Sequence, residues 1–212
     1  MSVHLRPEEI EAESFRIIEQ ELGPHDWPAQ QWPLVRRAIH TSADFDYARS
    51  MYISPDAVAS GIAALKAGRG IVTDTTMIIS GMGKERLKGF GVQVSCFVAD
   101  PQVAKEAKAQ QITRSIVAMR KGAGDAGNGI FVIGNAPTAL FELIRLIREE
   151  RVTPQLIVGL PVGFVGAAES KEALRELARD YPALPIITNS GRKGGSNVAA
   201  AVMNAILIQA GS

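Results

Sequence analysis

The sequence predicts an α/β fold: a doubly wound, mainly parallel sheet of about five strands flanked by helices, with a helical amino-terminal region, all in one domain over residues 1–212. Three observations carry this reading. Short β-rich runs at 70–73, 93–98, 129–134, 155–160 and 184–188 alternate with amphipathic stretches at 136–150, 170–180 and 196–209, the pattern of strands joined by crossover helices. Runs such as Gln155-Leu156-Ile157-Val158-Gly159 are apolar almost throughout, so they need cover on both faces. Several strands also end in polar or glycine-rich turns, at 73–76, 135–138, 161–166 and 189–196; in open α/β sheets this edge is where ligands bind.

The amino-terminal third reads as helical. Pro7 suits a first helical turn, Ile10, Ser14, Ile17, Ile18 and Glu21 follow at helical spacing, and Gly23 offers a stop. A second helix is expected from about 33 to 39. A third is expected to start at Ser54-Pro55, a capping residue before a first-turn proline, and to stop at Gly68.

Composition narrows the function classes. Hydrophobic residues make up 46% and charged residues 21%, which suits a packed globular chain. Basic and acidic side chains number 23 and 22, so no global field draws the protein to nucleic acid or to a membrane surface. The first residues lack the apolar core of a signal peptide, and the longest apolar stretch, 156–168, is broken by Gly159, Pro161, Gly163 and Gly166. Cytoplasm is the expected compartment. The single cysteine, Cys96, lies in an apolar run and is expected to be buried as a small hydrophobe.

Two glycine-rich segments invite comparison with nucleotide-binding loops. Gly122-Ala123-Gly124-Asp125-Ala126-Gly127 has the spacing of the dinucleotide fingerprint but precedes a strand where that motif must follow one, so it reads as a helix-to-strand connection and implies no nicotinamide or flavin. Gly191-Arg192-Lys193-Gly194-Gly195-Ser196 follows a strand and opens a helix. Backbone donors and two cations there suit a carboxylate or phosphate, with Arg192 the candidate binding side chain; a solvated basic turn is the other reading.

Of the three histidines, none has partners at metal-site spacing, and His4 and His25 read as surface residues. His40 ends a helical segment among Arg36, Arg37, Thr41, Ser42, Asp44 and Asp46. A helix-terminal cation satisfying free carbonyls explains such a residue, and so does an acid tuned by its polar neighbours.

The segment Val35-Arg36-Arg37-Ala38-Ile39-His40-Thr41-Ser42-Ala43-Asp44-Phe45-Asp46 resembles the histidine motif of the precorrin-8 methylmutases. Further matches run through Thr113-Arg114-Ser115, the segment 133–141, the segment 161–171 and Gly191–Ser196, so the resemblance covers nearly the whole chain. It implies an isomerase of cobalamin biosynthesis that shifts one methyl group within a tetrapyrrole-derived corrinoid, with His40 as acid and Ser14, Arg37 and Arg114 on the substrate. It also implies no cofactor and no protein metal site, cobalt arriving inside the macrocycle if at all, and a homodimer. The residues that follow His40 look more like the cobalt branch of the family. A carrier that holds a corrinoid unchanged is the competing reading, because function belongs to the site and not to the fold.

Overall fold

The computed structural model describes residues 6–211. Among them a six-stranded sheet has the order β1-β6-β5-β4-β2-β3. Its strands are β1 (Met51–Ile53), β2 (Gly70–Thr73), β3 (Val94–Ser95), β4 (Asn128–Ile133), β5 (Leu156–Gly159) and β6 (Ile186–Asn189). All neighbours are parallel except β1, which runs antiparallel to β6 with Met51 opposite Asn189.

The five expected strands all exist, and β1 is a sixth that three residues could not announce by periodicity. Two expectations need correction beside it. Ser54 does not cap the helix expected to start there, which is α4 (Ala57–Lys66) with Asp56 as its N-cap; the Ser54 hydroxyl accepts from the Ile186 amide at 2.9 Å, tying the end of β1 to β6. The run 93–98 pairs only at Val94–Ser95, because β3 lies at the sheet edge and the chain then leaves it, so that Cys96 is half-buried and not part of the core.

Alternation along the strands sorts side chains into two layers. Ile71, Ile130, Val132, Leu156, Val158 and Ile187 pack on one face with α1 (Pro7–Leu22), α2 (Trp32–Ser42), α4, α5 (Thr76–Gly81), α6 (Lys84–Gly89) and α11 (Ser196–Ala210). Val72, Phe131, Ile133, Ile157 and Ile186 face α8 (Arg114–Ala123), α9 (Pro137–Glu150) and α10 (Ala167–Asp180). Removing both faces from water is the dominant stabilising term for such strands. The helix α7 (Pro101–Gln110) packs with α8 in a small satellite cluster, and α3 (Tyr47–Ser50) leads into β1.

Close helix packing sets the surroundings of His40. Small residues along α11 let its neighbours approach: a Cβ at Gly81 would lie 2.9 Å from that of Ala200. The second helix runs past its expected end at 39, so His40 sits in the last turn of α2, and Ala43 in left-handed geometry (φ 53°) ends it. No helix among the described residues is long and apolar enough to cross a membrane.

Candidate active site around His40

The sheet order places the topological switch between β2 and β4, where an open crevice is expected at the strand ends. Here it is closed from within. The buried Asp74 carboxylate, just after β2, accepts from the amides of Gly134, Asn135 and Ala136 at 2.9, 2.9 and 2.6 Å. Burial pushes its carboxyl above the usual range, against the pull of those donors. A Cβ at Gly134 would also meet Ser196 Cα at 2.7 Å, since the start of α11 closes over the same point. Asp74 thus occupies the place an anionic ligand would take at the start of α9.

Hollows open instead beside α2, and the exposed His40 borders two of them. One, of about 470 Å³, lies between α2, α5 and α11 and is lined by Glu11, Arg37, Thr41, Ser80, Asn197 and Asn204 among others. The other, of about 440 Å³, lies between α1 and α2 and is lined by Ser14, Ile17, Ile18, Ile39 and Phe45 among others. The structure therefore brings Ser14, Arg37 and His40 together, with the imidazole on the rim between the two spaces.

Each of these groups is held. The Ser14 hydroxyl donates to the Ile10 carbonyl at 2.8 Å. Both terminal nitrogens of Arg37 donate to the two Glu11 oxygens at 3.0 Å, a two-pronged pair across α1 and α2. The Phe15 ring stands edge-on to His40 with centroids 5.3 Å apart, while the guanidinium carbons of Arg36 and Arg37 lie 4.1 and 5.3 Å from its centre. Arg36 in turn pairs with Glu19, whose carboxyl that guanidinium holds below its usual range.

The loop after His40 is anchored across the molecule. Lys193 Nζ contacts Asp44 at 2.6 Å and Asp46 at 2.5 Å, and these carboxylates raise the lysine well above its ordinary value. This corrects two expectations. Asp44 and Asp46 are engaged with Lys193 and not with His40, and only Arg192 of the two cations in the glycine-rich turn is left without an ion pair among the described residues.

The remaining predicted residues lie elsewhere. Arg114 begins α8, is exposed and makes no ion pair among the described residues; next to it, Thr113 bonds Thr138 of α9 at 3.1 Å. Arg192 is exposed, with its guanidinium 5.3 Å from the ring centre of Phe164, itself 85% exposed. Neither arginine lines the hollows beside His40. His25 is exposed and stacks on Trp32 with centroids 4.0 Å apart, while His4 lies outside the described residues. No group of three His, Cys, Asp or Glu among the described residues is placed to hold a metal ion. Sequence reasoning missed Glu11, Phe15 and Asn197. The first two were accessible, because residues 11, 14, 15 and 18 share one helical face.

The family profile described as Precorrin-8X methylmutase matches residues 9–209. The chain belongs to the precorrin-8X methylmutase family. It is therefore an isomerase by its family, and the same relation holds in sequence and in structure. A cobalt-precorrin-8 methylmutase of Priestia megaterium is 50% identical over 208 residues, covering 98% of this chain and 90% of that protein. The protein of that name in Salmonella typhimurium is 45% identical, covering 95% of each chain. A crystal structure of precorrin-8x methyl mutase from Thermus thermophilus superimposes with a TM-score of 0.87 at 41% identity, covering 96% of both chains. That likeness takes in nearly the whole chain.

Proposed function

We propose that this methylmutase acts on cobalt-precorrin-8, moving the ring-C methyl group from C-11 to C-12 to give cobyrinate, with His40 as the acid. The observation that carries the substrate assignment is that relatives at 45–50% identity are named cobalt-precorrin-8 methylmutase; relatives named precorrin-8X methylmutase stand at 38–40%, inside the 35–50% spread of the cobalt-named ones. The observation that carries the acid is the exposed imidazole on the rim of two hollows, beside Ser14 and Arg37.

The chemistry asks little of the protein beyond a proton and a grip. In a 1,5-type shift the bond from methyl to C-11 breaks as the bond to C-12 forms, and the ring π system takes up the change in conjugation. Protonation of the ring-C system favours that reorganisation, and the proton returns as the product forms, so the net reaction is an isomerisation. Imidazole suits the task because its unperturbed pKa, about 6.5, lies near neutrality, and a positioned acid contributes roughly 10²–10⁴-fold. Phe15 packed edge-on limits the ring orientations open to His40. The carboxylate arms of the corrinoid are matched by the guanidiniums of Arg37, Arg114 and Arg192 and by the Ser14 hydroxyl. Cobalt belongs to the substrate, and no other cofactor enters.

The working form is proposed to be a homodimer. Arg114 and Arg192 stand apart from the hollows of their own His40, and Val165 and Phe164 are 90% and 85% exposed, so a second copy supplies both cover and grip. Sedimentation at micromolar concentration checks this, and a fully active monomer contradicts it. The reaction itself is tested by following the absorption spectrum with cobalt-containing and metal-free substrate. Conversion to the cobyrinate spectrum, faster with cobalt, is expected; a tight complex with an unchanged spectrum marks a carrier instead.

A further inference from the structure

The glycine-rich turns after β5 and β6 lock into one platform. The Gly163 amide donates to the Arg192 carbonyl at 3.2 Å, and the Gly195 amide donates to the Leu160 carbonyl at 2.9 Å. At Gly194 a Cβ would lie 2.3 Å from the Leu160 carbonyl oxygen and 2.6 Å from that of Pro161, so no larger residue fits between the turns. Arg192 and Phe164 stand on the outer surface of this platform.

Beneath it lies an uncompensated cation. Lys171, in the second turn of α10, is fully buried, and its Nζ donates to the Lys193 carbonyl at 2.6 Å and to Asn189 Oδ1 at 3.1 Å. Asn189, also fully buried, donates from Nδ2 to the carbonyls of Lys193 at 2.9 Å and Ser190 at 3.2 Å. No carboxylate pairs with Lys171 among the described residues, and burial pushes its amine down to about 8. An apolar side chain of similar length would fill the site without the cost of desolvating an ammonium. What it would lose is the convergence of two buried polar side chains on one loop carbonyl, which sets the path of residues 190–195.

We infer that Lys171 is a positioning residue for substrate binding, clamping the 189–195 loop from below so that Arg192 is presented to a carboxylate arm of the corrinoid. The inference rests on the proposed corrinoid substrate. Lys171 touches no ligand itself, being sealed under the loop, and acts through the loop's shape.

The test uses the full-length protein with Lys171→Gln and Lys171→Met, and Asn189→Ala as a second route to the same clamp should the lysine variants fold poorly. Amide exchange at residues 192–195 is expected to accelerate at least tenfold while exchange in β4 and β5 is unchanged. The dissociation constant for the corrinoid product is expected to rise about tenfold, with the single-turnover rate of saturated enzyme unaltered. The rise is expected to vanish in an Arg192→Ala background, because both changes remove one interaction. Unchanged exchange at 192–195 overturns the clamp, and an additive effect with Arg192→Ala overturns its action through that residue. If the wild-type chain binds no corrinoid, the proposed substrate falls and takes the presentation of Arg192 with it, while the exchange result still decides the clamp.

Discussion

The arginines beside His40 and those at the loop edge have opposite surroundings. Arg36 and Arg37 lie along α2 and are already paired, with Glu19 and Glu11, and both pack on Phe15. Arg114 and Arg192 project where elements begin or turn and carry no ion pair among the described residues. In the proposed mechanism Arg36 belongs to the scaffold beside the imidazole, Arg37 shares in that scaffold and reaches substrate only by displacing Glu11, and the second pair takes its partners from outside. On this reading the acid and the main grip are separable, so substitution of His40 and substitution of Arg114 or Arg192 should fall on different steps.

His40→Ala is expected to have the largest effect, lowering the single-turnover rate by roughly 10²–10⁴-fold while leaving corrinoid affinity nearly intact. A helix-terminal cation without a catalytic role would cost only about 0.3–1 kcal/mol of stability and spare the rate. Arg114→Ala and Arg192→Ala should show the reverse pattern, weakening binding about ten- to hundredfold, the worth of a hydrogen bond between charged groups, without slowing bound substrate. Dissociation constants that stay unchanged would return both arginines to the solvated surface.

A third expectation concerns pH. Lys171 is depressed to about 8 in the folded protein by burial, whereas the unfolded chain holds its proton to about 10.4. Between these values the unfolded state binds more protons, so the penalty of the buried ammonium, present in full below pH 8, is relieved as pH rises. Urea unfolding should show wild type gaining on the order of 1–2 kcal/mol relative to Lys171→Met between pH 8 and 9.5. A flat difference would mean that Lys171 keeps its ordinary acidity.

The smallest effect is expected at Glu11→Gln. Freeing Arg37 from a half-exposed pair worth about 0.2–1 kcal/mol should tighten corrinoid binding by no more than about fivefold. Weaker binding would show that Glu11 holds Arg37 in its binding position, not away from it. Arg37→Ala should weaken affinity less than Arg192→Ala, since substrate must displace Glu11 to reach it.

The same contrast explains how much was legible in the sequence. Alternating apolar runs such as 129–134 and 155–160 register burial on both faces directly, so the central strands and the helices after them were readable to within a few residues. His40, Ser14 and Arg37 were named by the family's motif and meet at one place because α1 and α2 pack side by side. The losses are non-local. Nothing near Asp74 announces that it fills the switch-point crevice by reaching Gly134–Ala136, and nothing near Lys193 announces its partners Asp44 and Asp46 far along the chain. Lys171 reads as the polar side of an amphipathic helix until the loop folds over it. β1 failed for another reason, being three residues long with no period to detect.

The most direct test of the central claim is a single turnover of cobalt-precorrin-8 carrying a ¹³C label in its C-11 methyl group, run with wild type and with folded His40→Ala protein. Wild type should move the label to C-12, whereas the variant should bind the corrinoid and leave the label at C-11. Transfer at a near-normal rate by His40→Ala would contradict the assignment of the acid, and a label left at C-11 by wild type would contradict the proposed reaction on this substrate.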